Sequence, residues 1–127
     1  MIFSIHICFV IAGGKNELED YEYIKNQCKD ESLINLCEKK IEECIEIMNG
    51  SIGYLGNDTG FMHIAALLNI PTIGLFGDNP NDYASYNSKI IKILPENFSD
   101  QNYKKALLMN GIKYDQVLKI FLKNLNL

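Results

Sequence analysis

The stretch Asn57-Asp58-Thr59-Gly60-Phe61-Met62-His63-Ile64-Ala65-Ala66 gathers an acid, a hydroxyl, a glycine and a histidine at one point of the chain. It lies between two apolar runs, 51–56 and 71–77. The first run reads as a strand, and the residues after it as a turn entering a helix. A helix N-terminus presents unpaired N–H groups and the positive end of the helix dipole, and both attract an anion. Asp58 and Thr59 are residue types that cap helices. Gly60 allows close approach of a ligand to the backbone. His63 falls in the first turn, within reach of the same place. The ligand this chemistry calls for contains phosphate. The structural alternative is that Asp58 or Thr59 only caps the helix and His63 only packs in its first turn. The small side chains of Ala65 and Ala66 favour the functional reading, because they let the helix lie close to a sheet and fix its N-terminus over the strand ends.

Weaker signals flank this one. Gly13-Gly14-Lys15-Asn16-Glu17 reads as a strand-to-helix turn, with Glu17 favourably placed near a helix N-terminus. An acid in that position can also accept hydrogen bonds from a ribose diol. Gly77-Asp78-Asn79-Pro80 is a turn by composition and follows a predicted strand. Tyr83 and Tyr86 either line a pocket or cover a sheet edge. Lys15 reads as solvated, and His6 is assigned no role.

The elements that must position these residues alternate. Strands are predicted over 5–12, 33–36, 52–55, 72–76 and 89–94. Helices are predicted over 16–29, 38–49, 61–68, 101–109 and 115–124. The stripes Leu18, Tyr21, Ile24, Cys28 and Ile41, Cys44, Ile45, Met48 have helical spacing, and Gly50 suits the position after a helix. Alternation of this kind predicts an α/β domain with a Rossmann-like, mostly parallel sheet flanked by helices. Ligands of such sheets bind beyond the carboxyl ends of the strands. The turns at Gly13-Gly14, 56–60 and 77–79 all follow strands, so they are expected on one edge.

Size and composition bound the rest. The chain has 127 residues, 47% hydrophobic and 22% charged, enough for a packed core. One domain, 1–127, is expected, with a helical tail from about residue 100. The net charge is -4, and all twelve basic side chains are lysines. A nucleic-acid partner is therefore not expected, and a phosphate must be held by lysine, histidine or backbone amides rather than a guanidinium fork. Cys8, Cys28, Cys37 and Cys44 lack zinc spacing and are expected as reduced core residues of a cytosolic protein. The apolar start, 1–12, lacks the preceding basic residue of a signal peptide and is too short to span a bilayer, so it reads as a buried strand.

From Gly13 to Pro80 the chain resembles the C-terminal domain of glycosyltransferase family 9, the lipopolysaccharide heptosyltransferase family. The matching features are the glycine-ended strand, the nearby Glu17, Asn35-Leu36 before a helix, the string Asn57 to Ala66, and Pro71 to Gly77. Phe61 departs from the family pattern, which has proline there. Proline pre-sets the first helical turn, but phenylalanine also enters a helix.

The resemblance implies the donor-binding half of a two-domain GT-B enzyme and a nucleotide-diphosphate sugar such as ADP-heptose. Thr59 and Gly60 would contact the diphosphate with His63 beside them. Asp58 would lie near the sugar or orient the turn, Glu17 would hold the ribose, and Gly13 and Gly14 would belong to the same donor-binding set. The implied reaction is inverting transfer to a lipopolysaccharide core acceptor, with no cofactor and no required metal. The cytoplasm is the implied location, including the inner face of the cytoplasmic membrane. The family's general base belongs to the N-terminal domain. The expectation for this chain alone is donor binding with little or no transfer, as a truncated or split gene product whose acceptor half is either missing or encoded separately. The rivals are a non-catalytic Rossmann-like interaction module and another GT-B enzyme such as a nucleotide-sugar epimerase.

Overall fold

A computed structural model describes residues 7–28, 32–77, 84–96, 98 and 109–125. The chain divides into two compact units, Met1–Ile47 and Met48–Leu127, each described by itself. All strand pairs among the described residues are parallel, and helices follow strands along the chain, as the alternating pattern predicts for an α/β fold.

In the first unit, β1 (Phe9–Ile11) pairs with β2 (Leu33–Asn35). Between them a 3-10 turn, Lys15–Glu17, leads into α1 (Leu18–Gln27). Tyr21 is the buried residue of the α1 stripe. α2 (Ile41–Asn49) follows β2 and starts later than predicted. Glu38 has φ 66°, the left-handed region, which no α-helix accommodates. The chain turns there instead, with the Lys39 N–H donating to the Leu36 carbonyl. The Glu43 carboxylate then accepts the Lys40 N–H at 3.1 Å.

The cysteines divide. Cys37 and Cys44 are buried thiols, but Cys8 and Cys28 are exposed, against the expectation of four core residues. Cys28 lies just beyond the last turn of α1, where the backbone is extended and the helical stripe no longer holds. Cys8 precedes β1, whose own Phe9 is half-exposed. His6, the start of the predicted first strand and most of the predicted helix over 101–109 lie outside the described residues.

The second unit is built on the sheet β3 (Tyr54–Asn57), β4 (Thr72–Leu75) and β5 (Ile90–Ile93), with β4 central. β3 runs two residues further than predicted, because Gly56 pairs with Gly74 and the ladder continues through the glycine to Asn57↔Leu75. α3 (Gly60–Leu67) follows β3. It ends in a Schellman arrangement: Asn69 is left-handed (φ 61°), its N–H donates to the Ala66 carbonyl, and the Ile70 N–H donates to the Ala65 carbonyl. Asparagine thus takes the role that Gly50 was expected to play after α2. Gly50 has no positive φ, and the turn there closes through the Ser51 N–H to the Met48 carbonyl.

The core of this unit forms around α3. Met62 and Ala66 join Phe76, Ala84 and Ile90, while Ala65 joins Met48 and Ile70. Gly74 makes the approach possible. A Cβ there would sit 2.5 Å from the Met62 sulfur and 2.6 Å from a Phe76 ring carbon. α4 (Tyr114–Leu125) completes the unit, and its Leu125 side chain lies against Gly53.

Phe76 is fully buried in this core. Phe76→Ala should cost about 3–5 kcal/mol of stability, read as a lower denaturant midpoint with an unchanged slope.

Candidate functional site

The site grows from the turn between β3 and α3. Thr59 occupies the N-cap position with extended backbone (φ −141°, ψ 170°), yet its side chain makes no capping hydrogen bond. The sequence points to a capping threonine; the structure turns that side chain to the Tyr54 hydroxyl instead. Tyr54 itself lies folded over Gly56, where a Cβ would run into its hydroxyl. Residues 54 and 56 share a face of the strand, so the glycine opens the space the tyrosine fills. Burial pushes the Tyr54 phenol above its ordinary value, partly offset by the Thr59 hydrogen bond.

With no side-chain cap, the Gly60 and Phe61 amides of α3 have no partner among the described residues. The N–H groups of Met62 and His63 both point back to the Thr59 carbonyl, at 3.0 and 3.4 Å. Those of Gly60 and Phe61 precede any intrahelical acceptor. Gly60 has no fold-internal reason to be glycine. Its φ is not positive, and a Cβ there would meet nothing within 4 Å among the described residues. Among the described residues, the space above it is open.

His63 stands beside these amides and is held from two sides. Nε2 lies 3.3 Å from the Asp58 carboxylate. Nδ1 lies 2.6 Å from the Tyr86 hydroxyl, and the two rings stack with centroids 5.6 Å apart and an interplanar angle of 27°. The side chains of His63 and Asp58 are about one-third exposed (32% and 33%). An ion pair so open to water contributes about 0–1 kcal/mol; its effect is to orient the ring.

In the first unit, Gly13, Gly14 and Glu17 also come together at one turn. The Glu17 carboxylate accepts the Gly14 N–H at 2.7 Å. A Cβ at Gly13 would lie 2.6 Å from that of Glu17, so the acid packs directly on the glycine. The Glu38 N–H closes the turn on the Gly13 carbonyl. Burial, then the negative charge of Glu17, pushes the Cys37 thiol up from its ordinary value.

The predicted residues therefore form two clusters, Asp58, Thr59, Gly60 and His63 in one unit and Gly13, Gly14 and Glu17 in the other. Tyr54 was missed. Its signal was the Tyr-x-Gly spacing on one strand face. Lys15 is exposed as expected. Asp78, Asn79 and Tyr83 lie outside the described residues. Among those described, no group of three or more His, Cys, Asp or Glu side chains is disposed to hold a metal ion. No helix among them is long and apolar enough to cross a membrane.

The model of glycosyltransferase family 9 (heptosyltransferase) matches residues 3–112. The chain belongs to this family. Among solved structures, it is similar to a glycosyl transferase of family 9 from Veillonella parvula, with 23% identity and a TM-score of 0.76. It is also similar to the ADP-heptose LPS heptosyltransferase II of Escherichia coli, with 18% identity and a TM-score of 0.70. Each likeness covers 94% of this chain, which spans 37% and 36% of those two proteins. No curated protein sequence matches it. The family match covers the whole β3–α3 turn, and the structural likeness supports the α/β fold.

Two outcomes test the geometry. Gly60→Ala should leave stability unchanged or raise it by up to about 1 kcal/mol, since alanine is the better helix former and meets no neighbour. The raised Tyr54 pKa means that the folded state holds its proton more tightly than the unfolded chain. That contribution is complete below the ordinary value of 10.0 and is lost as pH rises through the higher folded value. Stability measured by urea melts from pH 8 to 11 should therefore fall more steeply in the wild type than in Tyr54→Phe.

Proposed function

We propose that this family 9 chain is a donor-binding domain that holds the diphosphate of a nucleotide-diphosphate sugar at the N-terminus of α3. The observation that carries the reading is Gly60, a glycine at an uncapped helix N-terminus that the fold itself does not require. A phosphate oxygen approaching the Gly60 and Phe61 amides would fill that opening and meet the positive end of the helix dipole. His63 stands at hand for a second contact. Lacking arginine, the chain relies on these amides and an imidazole for work that a guanidinium does elsewhere.

The chemistry follows from where charge develops. In glycosyl transfer the nucleoside diphosphate leaves with added negative charge. Amides fixed by a helix stabilise that charge without having to reorganise, and a protonated His63 adds to them. The Asp58 carboxylate opposes an anion by itself, but it lies against the imidazole, 3.3 Å from Nε2, where it orients the ring. For Glu17, with Gly13 and Gly14, the role we propose is contact with the ribose diol. Its carboxylate already accepts the Gly14 N–H, which holds it in one orientation.

Completing the transfer requires a base for the acceptor hydroxyl. We propose that an acceptor domain supplies it, encoded with this chain or separately, and that this chain alone transfers little sugar. An ADP-heptose-like donor, a lipopolysaccharide core acceptor and a cytoplasmic location, including the inner face of the membrane, belong to the same proposal. The Escherichia coli protein named above supports it by its donor and its acceptor.

Calorimetric titration of the folded chain with ADP and ADP-sugars tests the reading. Binding should be saturable, and His63→Ala should weaken it by about 1.5–3 kcal/mol, as loss of a charged hydrogen bond does. Gly60→Ala should also weaken it while the protein remains folded. No heat of binding at millimolar ADP would remove the donor role and leave the interaction-module reading.

A further inference from the structure

Tyr86 lies 23 positions beyond His63, in the segment before β5, yet its contact to the imidazole is shorter than that of the neighbouring Asp58. Its hydroxyl is 2.6 Å from Nδ1, against 3.3 Å for Asp58 at Nε2. The segment that carries it is anchored on both sides of the tyrosine. Two residues before, Ala84 is fully buried in the cluster of Met62, Ala66, Phe76 and Ile90. One residue after, the Asn87 amide donates to the Ala66 carbonyl of α3 at 2.9 Å. The same Asn87 accepts the Lys89 N–H with its side-chain oxygen, and the Ile90 N–H with its carbonyl. Lys92 of β5 donates to the Ser85 hydroxyl at 2.8 Å. The backbone on either side of Tyr86 is thus anchored, partly on the helix that carries His63, by bonds that do not involve the imidazole, and the Tyr86 side chain itself is 55% exposed.

One placement of the imidazole's proton suits both contacts. A carboxylate only accepts hydrogen bonds. The Asp58 contact is a hydrogen bond only if Nε2 carries the hydrogen. In the neutral ring Nδ1 is then a bare lone pair, and the Tyr86 O–H donates to it. When the ring gains a second proton, the same hydroxyl can turn and accept from Nδ1–H. Tyr86 is therefore suited to both charge states of the ring, and its stacked face opposes rotation in either.

We propose that Tyr86 is a positioning residue for His63: it holds the imidazole in one orientation and in the Nε2–H tautomer, with that nitrogen directed to the Asp58 side of the β3–α3 turn. The consequence for donor binding rests on the function proposed above; the tautomer does not. A ring held in advance binds an anion without losing rotational freedom at that moment, so the hydroxyl should matter to affinity although it touches no ligand.

The test uses Tyr86→Phe, which keeps the stacked ring and removes only the hydroxyl. Nitrogen-15 NMR reads the His63 ring nitrogens, assigned by their disappearance in His63→Gln, at about pH 8.5, where an ordinary imidazole is neutral. The wild type should show the Nε2–H pattern, and Tyr86→Phe a mixture of tautomers or averaged signals. ADP affinity by calorimetry should fall about fivefold in the variant, as the cost of ordering one freed side chain on binding implies. Unchanged ring-nitrogen shifts in Tyr86→Phe would overturn the proposal whether or not ADP binds. So would a changed tautomer with unchanged ADP affinity in a wild type that binds. Failure of the wild type to bind ADP while its tautomer responds would count against the donor role alone and support Tyr86 as the residue that fixes the ring.

Discussion

The contact on which the second unit depends is that of Met62, on α3, with Gly74, on the central strand. Because position 74 has no side chain, the methionine sulfur reaches the sheet surface, and the fully buried Phe76 ring closes the same space. Ala65 and Ala66, almost wholly buried, bring the next turn equally close. A helix seated this low has a fixed axis, and a fixed axis sets where its first amides point. The open Gly60 is thus a consequence of packing several residues away. Any larger residue at 74, 65 or 66 would lift the helix and move its N-terminus as well as loosen the core.

A second constraint acts at the turn itself. Thr59 sits where a capping side chain belongs but bonds to Tyr54, a partly buried phenol that Gly56 makes room for. The helix forgoes a contribution of about 1 kcal/mol that an ordinary cap supplies. Schellman closure at Asn69 and burial of three of its eight residues hold it nonetheless. A side-chain cap would compete with an incoming anion for the same amides. Its diversion to Tyr54 is what a ligand site would need and what a purely structural helix would not.

The alternation of strands and helices, and the β3–α3 turn, were legible because they are written locally. Apolar runs, a glycine after a strand and small residues at helical spacing are all read within ten residues. Two kinds of feature were not. Where a single backbone angle decides, as at Glu38 and Asn69, residue type gave no reliable signal. Glutamate rarely adopts positive φ, whereas the glycine that suits it, Gly50, does not use it. Where distant segments meet, spacing is silent. Nothing within the string from Asn57 to Ala66 indicates that Tyr86 caps His63 or that Tyr54 takes the Thr59 hydroxyl. Cys28 shows a third limit: a residue can hold the right place on a helical stripe and still be exposed, because the helix ends one residue earlier.

The proposed diphosphate site depends on the amides of Gly60 and Phe61. The most direct measurement is a two-dimensional amide NMR titration of the nitrogen-15-labelled chain with ADP, and with adenosine as the control lacking phosphate. The largest shifts should fall on Gly60, Phe61 and their neighbours through His63, with ADP and not with adenosine. Equal shifts with both ligands, or shifts centred elsewhere while the β3–α3 turn stays still, would contradict a diphosphate site at this helix.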